Sequence, residues 1–238
     1  MKKLIIASLM VVLVTSVLLV GCGGVLIGSG KLKTQEYAFS DFTKVEVSSA
    51  FEFEINQSSS YSISVTADDN VIDKVQVTKE GETLKIGLET IPGIGPVTLR
   101  ATVTMPQLNG LDISGASRGT ISDFSSTENL NITVSGASKV SGDITAGDAD
   151  FDIDGASTIQ LEGAANDTIA KVDGASRFNL GGFIVNDADI TFSGASSGTV
   201  NLGGKLDANL NGASKLSYIG EPTMGSINTS GASTLSKK

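Results

Sequence analysis

Apolar and polar residues alternate along most of the chain after residue 37. Val45-Glu46-Val47, Phe51-Glu52-Phe53-Glu54-Ile55, Tyr61-Ser62-Ile63-Ser64-Val65, Leu84-Lys85-Ile86 and the run from Val97 to Val103 all show it. A period of two sends successive side chains to opposite faces of a strand, one of them buried. No stretch in this region carries a sustained helical stripe. The pattern predicts an all-β body of short strands.

From residue 111 the alternation is phased by a repeat. Seven Gly-Ala-Ser (GAS) triplets begin at Gly115, Gly136, Gly155, Gly174, Gly194, Gly212 and Gly231, spaced 18–21 residues apart. Two residues before each glycine stand Ile113, Val134, Ile153, Val172, Phe192, Leu210 and Thr229. A near-constant period means stacked units that contact only their neighbours. The unit is too short for a propeller blade, lacks the leucine-rich signature, and has the wrong period for a calcium-binding nonapeptide helix. It fits a parallel β-helix, a solenoid with about 19 residues per coil and GAS at a corner. Glycine suits a corner that needs positive φ or close backbone approach. Simple alternation places glycine and serine inside with the aliphatic positions and alanine outside. It therefore predicts an internal serine ladder whose hydroxyls bond one another.

Coil length and parity add detail. The 21-residue spacing before Gly136 predicts a loop over Asp123–Glu128, and Pro222 predicts a corner at Gly220-Glu221-Pro222. Parity turns Phe151, Phe178, Phe192 and Tyr218 inward and leaves Phe124, in the predicted loop, as the candidate exposed aromatic. Ser48-Ser49-Ala50-Phe51 reads as a degraded copy of the GAS corner.

The N-terminus divides off from this body. Lys2 and Lys3 precede an apolar run from Leu4 to Leu18, followed by Leu19-Val20-Gly21-Cys22. This is the anatomy of a secretory signal, and the cysteine makes it resemble the bacterial lipoprotein signal. By that resemblance Cys22 becomes the first mature residue and carries the lipid. The predicted organisation is a signal peptide at 1–21 and lipidated Cys22 with a flexible, glycine-rich tether at 22–36. A β-rich part without GAS follows at 37–110, and the GAS-repeat β-helix at 111–238. Cys22 is the only cysteine, so no intrachain disulfide is available, and stability must come from burial.

Charge narrows the partners. The chain carries −9, and removal of residues 1–21 leaves −11. Such a body does not suit DNA, RNA or anionic lipid. The expected membrane contact is the N-terminal lipid. The expected place is the exported side of the cell membrane or the outer membrane.

Candidate chemistry is sparse. Gly115-Ala116-Ser117-Arg118-Gly119 matches the G-x-S-x-G pattern of serine hydrolases. The chain has no histidine to act as base, and no helix follows Gly119, so Ser117 is read as a corner residue. Asp148, Asp150, Asp152 and Asp154 share the outward face, and Asp154 and Asp173 should stack on adjacent coils. Asp152, Asp154 and Asp173 are therefore candidate calcium ligands beside the plainer reading of a solvated acidic face. One outward row follows the triplets: Arg118, Lys139, Thr158, Arg177, Ser197, Lys215 and Thr234. Its basic members Arg118, Lys139, Arg177 and Lys215 form a candidate stripe for an elongated anionic partner such as a glycan, or a solubilising surface. No cofactor is expected. The C-terminal coil is a candidate edge for self-association.

The residues before the repeat also resemble a known family. Phe42-Thr43-Lys44-Val45-Glu46-Val47, Phe51-Glu52-Phe53-Glu54-Ile55, Val65-Thr66-Ala67-Asp68-Asp69-Asn70 and Met105-Pro106-Gln107-Leu108 lead into Ile113-Ser114-Gly115-Ala116-Ser117. Together they resemble the bacterial auto-transporter adhesin, head GIN domain family over about residues 37–235. The resemblance implies a right-handed parallel β-helix and brings no catalytic residues. The expected function is a lipid-anchored, non-enzymatic adhesin or binding surface of the cell envelope. Two alternatives stand beside it. One is a calcium-dependent glycan-binding or glycan-cleaving β-helix, and the other a sensing or assembly component that binds another envelope protein.

Overall fold

The computed structural model describes residues 25–238. The expected signal peptide and Cys22 lie outside the described residues. The body is all-β, and its single helical turn is a 3-10 segment at Ile72–Lys74. No helix among the described residues is long and apolar enough to cross a membrane.

The repeat half is a stack of two-stranded coils. Each coil crosses from one sheet to the other at its GAS corner: β8 (Gly110–Ile113) to β9 (Arg118–Ser125), β10 (Leu130–Val134) to β11 (Lys139–Thr145), β12 (Ala149–Ile153) to β13 (Thr158–Ala164), and β14 (Asp167–Val172) to β15 (Arg177–Val185). The series continues with β16 (Asp187–Phe192) to β17 (Ser197–Leu202), β18 (Lys205–Leu210) to β19 (Lys215–Ile219), and β20 (Thr223–Thr229) to β21 (Thr234–Lys237). Even-numbered strands of this half lie in a 10-stranded sheet, odd-numbered ones in an 11-stranded sheet. All these pairings are parallel, with equivalent residues in register: Ile132 faces Leu111 on one side and Phe151 on the other. The aliphatic rows of both sheets meet in one continuous core. Phe151, Phe178 and Phe192 lie in that core and pack edge to face, with centroids 5.2 and 6.1 Å apart.

The corner resets the side-chain phase. All seven GAS glycines have φ between 65° and 77°. The turn leaves glycine and alanine outside and sends serine into the core, so glycine does not share the inward face as simple alternation predicted. Close stacking adds a second demand. A Cβ on Gly155 would collide with the carbonyl oxygen of Gly136, and the same clash recurs at Gly174, Gly194, Gly212 and Gly231. That oxygen accepts the N–H of Ala156 at 2.8 Å, and the bond repeats coil by coil to Ala232. The predicted hydroxyl ladder does not form. The Oγ atoms of Ser117, Ser138, Ser157 and Ser196 are buried without a partner, and Ser176 Oγ instead accepts the Ser157 N–H and donates to the Gly155 carbonyl.

The 21-residue coil places its two extra residues in a bulge and in a turn at 126–129, so the predicted loop over 123–128 is strand up to Ser125 and irregular only beyond it. Asp123 takes φ 67° as a bulge, and its N–H donates to Asp143 Oδ2 at 3.0 Å. The bulge flips the parity that follows, so Phe124 is buried in the core and is not an exposed platform.

The first half has a different connectivity. Its strands are β1 (Leu32–Tyr37), β2 (Lys44–Val47), β3 (Glu52–Gln57), β4 (Ser62–Asp68), β5 (Val75–Glu80), β6 (Thr83–Leu88) and β7 (Leu99–Met105). The β2–β3 coil turns at Ser49 and Ala50, both at positive φ, as its likeness to the GAS corner suggests. It sits between two coils made later in the chain: β2 lies between β6 and β8, and β3 between β7 and β9. Beyond it the pairing turns antiparallel, β1 on β4 on β7 and β5 on β6, and this closes the N-terminal end of the stack.

The segment expected as a tether is structured in its described part. Residues 32–37 form β1, and Leu26 bridges Ile94. The cause is Asp68, which is 2% exposed and accepts the N–H groups of Gly30 and Thr98, both at 2.7 Å. Asp69 and Asn70 bond Ser29, and Asn70 also donates to the Ile27 carbonyl. The Ala67-Asp68-Asp69-Asn70 run is thus a clasp for the N-terminal segment.

Candidate functional site

Two parallel outward rows run along the 11-stranded sheet from β9 to β21. Strand register stacks Arg118, Lys139, Thr158, Arg177, Ser197, Lys215 and Thr234 into one row. The sequence stripe is therefore a physical column, with neighbouring coils about 4.8 Å apart. Two residues further along each strand, register stacks Thr120, Ser141, Gln160, Asn179, Thr199, Ser217 and Ser236. This second row was not singled out from sequence, although its signal is the polar residue five positions after each glycine. Neither row contains an acidic residue.

The basic side chains have no intramolecular carboxylate to satisfy them. Arg118, Lys139, Arg177 and Lys215 are exposed, and none enters an ion pair among the described residues. Only at the far N-terminal side does an acid join the first row, where Glu52, in register with Arg118, pairs with Arg100 at 3.2 Å. The strip thus offers cations at one edge and neutral hydrogen-bonding groups at the other. Groups of these two kinds side by side can engage anionic and hydroxyl groups of one ligand together.

The 10-stranded face has the opposite character. Its outward rows bring forward Glu46, Asp112, Asp150, Asp152, Asp189 and Asp207. Burial pushes the Asp112 carboxyl above its ordinary range, and the neighbouring Glu46 adds to the shift. Lys205 binds Asp207 at 2.7 Å, and that bond, with the N–H donated by Ser226, holds the Asp207 carboxyl below its usual range.

The calcium candidates divide. Asp154 and Asp173 follow the paired residues Ile153 and Val172, so they stand side by side on adjacent coils. Asp152 is in register with Lys171, a cation, rather than with another carboxylate. Asp154 Oδ1 accepts the N–H of Gly155. Among the described residues no three acidic, histidine or cysteine side chains gather as a metal-holding group.

Other aspartates have a structural task that sequence reading missed. At the corner opposite GAS, Asn129 Oδ1 accepts the Asp148 N–H at 3.0 Å, and Asp148 Oδ1 that of Asp167 at 3.4 Å. Asp167 Oδ1 accepts from Asp187 at 3.1 Å, and Asp187 Oδ1 from Lys205 at 2.7 Å. Each residue stands seven before a GAS glycine, so the period did carry the signal.

Ser117 has no access to a substrate. Its side chain is buried at the corner, and its Oγ has no hydrogen-bond partner. The second glycine of G-x-S-x-G is explained by packing. A Cβ at Gly119 would stand 2.5 Å from the Phe53 ring, and one at Gly198 would stand 2.7 Å from Phe192 Cζ.

Comparison with known proteins follows the fold. A family model described as "Putative auto-transporter adhesin, head GIN domain" matches residues 41–222. A crystal structure of a "putative adhesin" from Bacteroides fragilis superposes with a TM-score of 0.83 at 23% identity, covering 90% of this chain and 100% of that one. A "putative lipid binding protein" from Parabacteroides distasonis gives 0.72 at 21% identity, with coverages of 90% and 100%. A "putative adhesin" from Parabacteroides merdae gives 0.69 at 17% identity, with coverages of 90% and 98%. No curated protein matches the chain.

Proposed function

The chain belongs to the auto-transporter adhesin, head GIN domain family, and on that premise we propose that it is an exported, lipid-anchored, non-enzymatic binding protein of the cell envelope whose 11-stranded face grips a linear anionic glycan. Cys22 carries the lipid, and the solenoid presents the strip to the partner. The observation that carries the reading is the double row from Arg118/Thr120 to Thr234/Ser236, acid-free on a chain of net charge −9. An acidic protein that keeps two adjacent rows clear of carboxylates over successive coils, with Asp143 and Glu162 only beyond them on the same strands, has a strip on which an anion meets cations and neutral groups first. Equivalent groups recur at the strand spacing, which suits a polymer lying along the stack better than a small ligand.

Titration of a linear polyuronate against the purified protein tests this. Binding should weaken with salt. The Lys139→Glu, Arg177→Glu double variant should lose affinity by about tenfold or more. Asp150→Lys on the opposite sheet should leave affinity at the strip unchanged. Equal affinity of the wild type and the double variant would sink the assignment.

A further inference from the structure

The clasp described above presents an apolar ribbon at the N-terminal end of the stack. Residues 25–28 run parallel to 93–96: the Leu26 N–H donates to Gly93, Gly95 N–H to Leu26, and Gly28 N–H to Pro96, at 2.8–3.0 Å. Leu26 packs on the core. Val25 and Ile27, of opposite parity, lie over Gly93 and Gly95, where a Cβ on Gly95 would come within 3.1 Å of Ile27. Val25 is 56% exposed, Ile27 59% and Ile94 43%. With Leu32 they make four of the seven large exposed apolar residues among those described, all on this end. No charged residue occurs in 25–30 or 90–98. Asp68 ties both segments at their ends, through Gly30 and Thr98, so the structure holds these side chains outward rather than letting them collapse.

An exposed apolar patch held by a buried carboxylate needs an apolar partner. Its position says which. Val25 is three residues from Cys22, a reach of about 10 Å even when fully extended. We infer that the ribbon of Val25, Ile27 and Ile94 inserts into the bilayer interface beside the acylated Cys22, as a second membrane contact that sets the angle of the solenoid. The inference rests on lipidation of Cys22 as proposed above. The depth required is that of other interfacial segments, about 5–10 Å. With no charged residue in 25–30 or 90–98, apolar burial is what drives this contact.

The chain has no tryptophan, so Ile94→Trp and Thr199→Trp report separately on the ribbon and the strip. Each full-length protein is made with its own signal, its N-terminal mass is measured, and it is reconstituted into phosphatidylcholine vesicles with brominated acyl chains. The Ile94→Trp emission should shift to shorter wavelength and lose most of its intensity to bromine. The Thr199→Trp emission should change in neither respect. An unquenched Ile94→Trp on a vesicle-bound, acylated protein overturns the insertion and leaves the anchoring intact. An Ile94→Trp shielded from aqueous iodide yet untouched by bromine also overturns it, because the cover is then a segment or acyl tail of the protein itself. A mass showing Cys22 without lipid overturns both.

Discussion

Phe53 fills the space that a side chain at Gly119 would need, with its carbonyl oxygen 2.0 Å and its ring Cγ and Cδ2 2.5 Å from the position of a Cβ there. The two residues face each other in register on β3 and β9. Gly198 stands next to Phe178 in the same inward row, in register on β15 and β17. A Cβ at Gly198 would meet the Phe178 carbonyl oxygen at 2.5 Å and the ring of Phe192, on its own coil, at 2.7 Å. Gly119→Ala should therefore cost about 1–3 kcal/mol through overpacking. Phe53→Ala in the same chain, which removes the Cγ and Cδ2 contacts and leaves the carbonyl one, should return part of that loss. A double-mutant cycle by urea unfolding reads the coupling, and purely additive effects would refute the pairing.

Ala116 sits at φ 69°, immediately after Gly115 at 65°. The later corners keep positive φ at glycine alone. Ala116→Gly should relieve this strain and stabilise the protein by about 0.5–1 kcal/mol. Ala137→Gly, at the next corner, has no strain to relieve and should be neutral or destabilising. Denaturation midpoints of the two variants should move in different directions.

The aspartate ladder at the opposite corner makes a graded prediction. Asp167 Oδ1 accepts the N–H of Asp187 and the amide of Asn186. Asp167→Ala should cost about 1 kcal/mol, the net value of such a bond. Asp167→Asn keeps a carbonyl acceptor and should cost less. Equal losses in thermal melts would mean that the acceptor is not what stabilises the corner.

Asp112 gives a pH-dependent prediction. Its carboxyl is raised in the folded protein by burial and by Glu46. Folding therefore favours its protonated form, and its penalty grows as pH rises from the ordinary aspartate value through the raised one. Asp112→Asn should raise the melting temperature at neutral pH. The gain should vanish below the ordinary aspartate range. A gain that is constant with pH would point to packing rather than ionisation.

The repeat half was legible because one residue type is forced at each corner. Gly155 and its equivalents need both positive φ and the absence of a Cβ against the coil below, so the period survives substitution around them. Phe124 was misplaced because parity cannot report a bulge, and Asp123 supplies one. The ladder of Asn129, Asp148, Asp167 and Asp187 shares the glycine period but was hidden by chemistry, because an exposed aspartate reads as solvated until its acceptor bond is seen. The clasp at Asp68 was hidden for a related reason. Glycines at 28 and 30 suggest freedom, whereas Gly28 leaves room for the Asp68 carboxylate. Strand order in 37–110 could not be read at all, since alternation is the same for parallel and antiparallel neighbours. The strip was half legible: its basic row was visible, and its hydroxyl and amide row emerged from register.

The placement of β2 between β6 and β8, and of β3 between β7 and β9, sets a timetable for a chain delivered from its N-terminus. Glu52 cannot meet both of its strand partners until Arg118 has emerged, so the oldest coil waits with two open edges. Every later coil finds a finished template about 19 residues behind it. Maturation should thus have a single slow event that closes the N-terminal block, followed by quick layer-by-layer growth. An export machine that halted before residue 118 would hold an unsealed sheet, the state most exposed to proteases and to wrong partners.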